Sequence, residues 1–239
     1  MRVSHVALDD FRSYRHAVVE FAPGTTVLLG SNGQGKTNLV EAVSYLSAFS
    51  SHRVSAEQAL VRLPLSADEP QPGGAVVRVR LVTAGERETV IELEIVRGKA
   101  NRAKVNRTQV RPREVLGLLK SVVFSPEDLQ IVRGDPQVRR QFLDDLLIQQ
   151  HPLIAQVKSD FDKVARQRAA LMKSAQAQLR RGFTPDFSTV EVWDDTFAQL
   201  SAQLSLARVG LVDELRGPAA HAYEEIGGSP RKLDIEFLA

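Results

Sequence analysis

Cysteine is absent from the 239 residues. That excludes disulfides, thiolate-ligated zinc and a cysteine nucleophile, and it fits an expected cytoplasmic location. No apolar run approaches the ~18 residues that a membrane helix needs. The opening Met1-Arg2-Val3-Ser4-His5-Val6 lacks the apolar core of a signal peptide. An excess of one charge is missing too. Thirty-one Lys and Arg face 29 Asp and Glu, a formal net charge of +2. Only local clustering of cations, not the total, could point to nucleic acid. The five histidines, His5, His16, His52, His151 and His221, show no metal-ligand spacing. With 43% hydrophobic and 25% charged residues the composition is that of a globular chain. Its length suits one large domain or two small ones.

The first half reads as strands. Val3, His5, Ala7 and Phe11 share one parity and Val6 and Leu8 the other, so the facing of this strand is open. A polar turn at Arg12–Arg15 leads to a second strand over Ala17–Phe21, making a hairpin. Thr25–Leu29 is short, β-branched and apolar, and predicts a buried strand. Ser55 is placed to cap a short helix over Ala56–Leu63. The alternation of Val77, Val79 and Leu81 with Arg78 and Arg80, then Val90–Val96, predicts an antiparallel sheet. Lys104–Arg107 suggests another hairpin, and Val122-Val123-Phe124 a short buried strand. Beyond Asp135-Pro136, a helix start with Asp as N-cap and Pro at the first helical position, the period becomes helical. One helix runs to about Gln150 and Pro152 opens a longer one. A third carries Val190, Trp193, Phe197, Leu200, Leu204, Ala207 and Leu211. The three-four spacing fits an antiparallel coiled-coil hairpin or two ordinary amphipathic helices; Trp193, at a helical repeat position, reads as core rather than functional. Leu233–Leu238 looks like the start of a strand after which the chain stops, so truncation is expected.

One segment carries chemistry. Gly30-Ser31-Asn32-Gly33-Gln34-Gly35-Lys36-Thr37 matches the phosphate-binding loop G-x-x-x-x-G-K-[ST] at every fixed position. Gly33 and Gly35 let the backbone close on an anion without a Cβ in the way. The amides form a nest, and the following helix adds its N-terminal dipole. Lys36 supplies a mobile cation for the β- and γ-phosphates, and the Thr37 hydroxyl is placed to ligate Mg²⁺. These residues predict ATP and Mg²⁺ as cofactors. Hydrolysis needs a further acidic strand. Phe142-Leu143-Asp144-Asp145 has carboxylates, but its helical spacing reads as a solvated acidic face. The acids of Phe124-Ser125-Pro126-Glu127-Asp128 belong to a loop. Neither is a convincing second motif.

Phe11-Arg12-Ser13-Tyr14, the glycine loop through Asn38, and Val123-Phe124-Ser125-Pro126-Glu127-Asp128-Leu129 together resemble the RecF family of bacterial recombination and repair ATPases. Gly134-Asp135-Pro136 with Arg139–Asp144 is also similar. The resemblance implies an α/β fold: a P-loop ABC-type ATPase head, mixed sheet plus helices, related to Rad50 and SMC proteins. Its first lobe would occupy residues 1–130. A helical second lobe over 131–239 would carry the antiparallel coiled-coil arm and be truncated at its C-terminus. The resemblance further implies ATP held between two heads of an ATP-dependent homodimer and binding to single-stranded and gapped duplex DNA. It implies RecR and RecO-like partners that load recombinase, and a link to replication and the SOS response. Arg12 would reach the nucleotide, or else cap a turn, and Gln130 would stand near Mg²⁺. Family members are longer, and their signature loop and acidic Mg²⁺ strand are not found here. The resemblance therefore implies an ATPase in the parent protein, and a present chain that should bind nucleotide poorly and not hydrolyse it.

Arg97, Lys99, Arg102, Lys104, Arg107, Arg111 and Arg113 fall in one 17-residue window without Asp or Glu. Such a hairpin could track DNA phosphates, with Arg102, Lys104 and Arg107 as candidates. The plainer reading is a solvated hairpin beside Glu92, Glu94 and Glu114. No aromatic residue interrupts it, so base stacking is not indicated. Two other functions compete: an SMC- or Rad50-like structural head, disfavoured by arm helices of only about thirty residues, and a small-molecule P-loop kinase.

Overall fold

The computed structural model describes residues 1–51, 53–54, 56–184, 188–227 and 232–238, with only the backbone at 188, 189, 191 and 192. The chain divides into two compact units, Met1–Asp135 and Pro136–Ala239.

The first unit is built on a six-stranded antiparallel sheet. Its strands are β1 (Arg2–Phe11), β2 (Tyr14–Glu20), β3 (Gly74–Val82), β4 (Glu88–Val96), β5 (Arg102–Val105) and β6 (Thr108–Val110). They lie in the order β2-β1-β3-β4-β5-β6. Strict alternation sets the facing. Ala75, Val77, Val79 and Leu81 of β3, and Ile91, Leu93 and Ile95 of β4, point inward and are buried. The open question in β1 is resolved at its end. Val6 and Leu8 face inward, and Asp10, with φ 47°, resets the phase so that Phe11 is buried as well. Two backbone bonds hold that bend: Arg62 N–H donates to Asp10 O and Arg12 N–H to Leu60 O, each at 2.7 Å. The buried Arg62 side chain adds bonds to Asp10 and Glu69, both at 2.7 Å.

Helix α1 (Lys36–Ala48) covers the inner face with Leu39, Ala42, Tyr45 and Leu46. The outer face carries a row of alternating charge. Asp9, Arg78, Glu92 and Lys104 are bonded in sequence across β1, β3, β4 and β5, at 2.9, 2.5 and 2.7 Å. Exposed pairs of this kind contribute up to about 1 kcal/mol each.

Several expectations are corrected. Thr25–Leu29 is not a buried strand: it forms no ladder with any described strand, and Val27 and Leu29 are 71% and 88% exposed. Val122–Phe124 likewise pairs with nothing described, with Val122 88% and Phe124 90% exposed. Apolar β-branched residues favour extended backbone, but burial requires neighbours on both sides. Here the two segments border an apolar groove of about 360 Å³ lined by Val3, Phe21, Leu28, Val40, Val43 and Val122. The helix expected over Ala56–Leu63 is a single 3₁₀ turn, Glu57–Leu60; its proposed cap, Ser55, lies outside the described residues.

The second unit is helical. After the short α2 (Leu129–Arg133) of the first unit come α3 (Pro136–Gln150), α4 (Ile154–Arg180) and α5 (Ser188–Gly227). Helix α3 begins at the proline that the sequence marks. Helices α4 and α5 run antiparallel: Phe161 stacks on Phe197 at 5.2 Å, and Arg168 pairs with Asp194 at 2.5 Å while lying over the Phe197 ring. Helix α5 has 40 residues and continues through Pro218, longer than the periodicity indicates. Residues 232–238 form no strand; Arg216 instead donates to Ile235 O at 3.1 Å.

Asp144 also departs from expectation. It is not on a solvated face but 2% exposed, receiving two bonds from Arg208 at 2.8 and 2.9 Å, with Lys158 at 3.6 Å. One carboxylate thus ties α3, α4 and α5 together. Stripping one partner from such a buried pair leaves an uncompensated charge. Asp144→Ala should therefore destabilise the helical unit by about 3 kcal/mol, read as a lower urea midpoint followed by circular dichroism.

Candidate nucleotide-binding site

The glycine loop takes backbone values that its glycines require. Gly33 and Gly35 have φ of 83° and 91°, in the left-handed region where a Cβ is strained. Gly35 is also the N-cap of α1 and has no side-chain capping bond, so the first-turn amides are left to the loop's concave side. Gln34 Oε1 accepts the Ser31 N–H at 3.1 Å and so braces the loop from within. The Lys36 ammonium donates to Gly30 O and Ser31 O, both at 2.8 Å, which places a positive charge across the loop mouth. Asn32 is exposed, and so is Thr37, in the first turn of α1. Positive-φ glycines, a helix start and a cation held by two loop carbonyls fit a polyphosphate. Thr37 is the residue here that would hold Mg²⁺. No group of three or more Asp, Glu, His or Cys that could hold a metal occurs among the described residues.

The turn between β1 and β2 is packed directly on this loop. The Tyr14 hydroxyl donates to Gly35 O at 3.1 Å. Asn38 Nδ2 donates to Ser13 Oγ at 2.9 Å. A Cβ built on Gly35 would lie 2.7 Å from Ser13 Oγ, so the approach leaves no room for a side chain. Arg12, itself at φ 54°, lays its guanidinium on Glu41 of α1 through Nε at 2.9 Å and Nη2 at 2.6 Å. It also donates to Ala59 O at 3.1 Å.

Glu41 is the residue that sequence reasoning missed. It is 1% exposed and accepts four bonds. Besides the two from Arg12, Ser51 Oγ donates at 2.6 Å and Arg53 Nη1 at 3.2 Å. Arg53 Nη1 also reaches Asn38 Oδ1 at 2.8 Å. Burial by itself would raise the Glu41 pKa. The bonds from Arg12 and Ser51 and the charges of Arg12 and Arg53 outweigh it, so the carboxyl is held below its ordinary value. The available signal was a glutamate among the inward-facing apolar positions of α1, five residues after Lys36. A second bridge joins α1 to the sheet: Tyr45 Oη donates to Glu57 at 2.5 Å, and Asn101 Nδ2 to the same carboxylate at 2.9 Å.

The basic candidates lie elsewhere, on the β5–β6 hairpin, three strands from β1. Lys104 bonds Glu92 at 2.7 Å and Arg102 is 3.7 Å from Glu94. Arg107 sits in the tight turn with φ 70°. The acidic neighbours named from the sequence thus do compensate two of the three cations.

A glycine loop opening a helix, with a side-chain-locked turn against it, defines the class: a P-loop nucleotide-binding head. The family model described as RecF/RecN/SMC N terminal domain matches residues 2–211, and the chain belongs to that family. It is 47% identical over 240 residues to a DNA replication and repair protein RecF of Frankia alni, covering 100% of this chain and 61% of the relative. The RecF of Beutenbergia cavernae is 48% identical over 243 residues, with 100% and 59% covered. The chain thus spans about three fifths of the length of these curated relatives. Among solved structures, a recombination mediator protein RecF with ATP in the RecFOR pathway superposes with TM-score 0.80 at 26% identity, covering 95% of this chain and 58% of that one. An SMC ATPase solved for its ATP-driven dimerization and DNA-stimulated activation superposes with TM-score 0.50 at 22% identity, covering 60% of this chain and 98% of that one. The fold, a mixed arrangement of sheet and helices, is that of RecF and SMC ATPase heads.

Gly35→Ala should cost about 1–3 kcal/mol, combining left-handed backbone strain with collision against Ser13. The expected reading is a lower Tm, with no comparable loss for a Gly73→Ala control, whose Cβ meets nothing within 4 Å.

Proposed function

We propose that this chain is the nucleotide-binding part of an ATP-gated DNA-binding protein of replication and recombinational repair. The observation that carries the reading is the loop from Gly30 to Thr37 with Lys36 across its mouth and the Arg12–Tyr14 turn docked on it. In this reading Gly30–Lys36 enclose the phosphates and Arg12 supplies a second cation. Thr37 would hold Mg²⁺, which would supply charge neutralisation for the phosphates. ATP drives two heads together. The parent protein hydrolyses ATP with groups additional to those identified in this chain, and acts in the cytoplasm. Its DNA substrates are single strands and gapped duplexes, and its partners are RecR and RecO-like proteins that load recombinase. A role in the SOS response belongs to the same proposal. Support comes from the relatives' names, DNA replication and repair protein, and from the superposable RecF with ATP. No described helix is long and apolar enough to cross a membrane. Helices of 27 and 40 residues in the second unit favour this reading over an SMC-type structural head, whose arms run to hundreds of residues.

Lys36→Ala tests the site. In the intact protein the Kd for Mg·ATP should rise about 100-fold, since charge-assisted bonds of roughly 1.5–3 kcal/mol each are lost. Binding within twofold of wild type, by isothermal calorimetry, would refute the reading. The hairpin has a separate test. Arg102, Lys104 and Arg107 changed together to Gln should flatten the slope of log Kd for gapped DNA against log salt by about 2.7, three contacts at roughly 0.9 each. Exposed ion pairs to Glu92 and Glu94 are worth at most about 1 kcal/mol, so phosphates can displace them. An unchanged slope removes the hairpin from the DNA site.

A further inference from the structure

Glu41 lies in α1, five residues past Lys36 of the phosphate loop, and holds two arginines where one would neutralise it. Its carboxylate is 1% exposed, Arg12 binds both oxygens, Ser51 binds Oε1 and Arg53 binds Oε2. Two guanidinium charges against one carboxylate leave the cluster with a net +1. That excess sits next to the loop: Ser13, the neighbour of Arg12, touches Gly35 and Asn38, and Arg53 reaches Asn38. A buried carboxylate stripped of its only counter-charge is costly, so an arginine that is its sole partner cannot leave. With two partners, one can.

We propose that Glu41 is a positioning residue that parks Arg12, and that Arg53 is its standing counter-ion, so that Arg12 can exchange from Glu41 to a nucleotide phosphate without stranding a buried charge. The elements that carry the two arginines divide the roles. Arg53 is bonded to two acceptors on α1, Asn38 and Glu41, and stays with the helix. Arg12 belongs to the β1–β2 turn, which is fixed through Tyr14 and Ser13 rather than through its guanidinium. Its side chain can therefore swing while the turn remains docked. The lowered pKa of Glu41 agrees with a carboxylate that is charged while Arg12, Ser51 and Arg53 all face it. The inference rests on Arg12 serving the nucleotide, as proposed above.

The test is a set of variants in the intact protein, with Mg·mant-ATP as the fluorescent probe and a thermal melt of each variant without nucleotide. Arg53→Ala should weaken binding about tenfold, because Arg12 is then held by Glu41 alone. Glu41→Gln added to Arg53→Ala should restore binding to within about twofold of wild type, because a neutral amide needs no counter-ion. Glu41→Gln alone should bind no more weakly than wild type. In an Arg12→Ala background, Arg53→Ala should have no further effect. A purely structural role for the cluster predicts the opposite: losses that add, and a double variant worse than either single one. Such additivity would overturn the exchange while leaving the Arg12 reading intact. Arg12→Ala that binds like wild type would overturn both. Should Arg53→Ala not fold, Glu41→Gln alone decides, a tenfold loss overturning the proposal.

Discussion

A single buried carboxylate organises the nucleotide end of this molecule. Glu41 sits one turn into α1, out of water, and everything that reaches it comes from a different segment: Arg12 from the β1–β2 turn, Ser51 and Arg53 from the chain after α1. Without that charge the turn and the loop would still be close in space. Their side chains would have no common anchor, and Arg12 would be one more mobile cation on the surface. A charged group in the interior is tolerated only when satisfied. The requirement therefore forces three separated segments into one geometry beside the phosphate loop.

The helical unit repeats the device. Asp144 gathers Arg208 and Lys158 from the two long helices, as Glu41 gathers its arginines. Such pairs specify an arrangement more than they stabilise it, since desolvation offsets much of the attraction. The outer face of the sheet shows the contrast. There, the alternating charges from Asp9 to Lys104 are half-buried to exposed, and each pair contributes little by itself. Buried pairs hold the architecture, and the pairs on the outer face contribute less.

Much of the fold was legible because it depends on local periodicity. The alternation in β3 and β4, the turn before Lys36 and the Asp135-Pro136 helix start are all written in neighbouring residues. The errors share one cause. Thr25–Leu29 and Val122–Phe124 have the composition of buried strands but pair with nothing described, and Asp144 has the spacing of an exposed face but is buried. Burial is decided by what arrives from far along the chain, and no window of neighbours contains that information. The same holds for Asp10, whose positive φ shifts the phase of β1 because Arg62, 52 residues away, holds it there.

The site divides along the same line. The amino-acid sequence by itself determined that a phosphate-binding loop exists and which residues compose it, because the chemistry needs glycines, a lysine and a hydroxyl at adjacent positions. It also carried the family, through short contiguous motifs. Only the tertiary structure decided that Ser13 and Tyr14 pack against the loop and its helix, that Glu41 holds Arg12, and that Arg53 shares Glu41 with Arg12. Those facts depend on side chains 10 to 29 positions apart meeting in a place from which water is excluded. Spacing along the chain encodes the first kind of fact, and the cost of burying charge enforces the second.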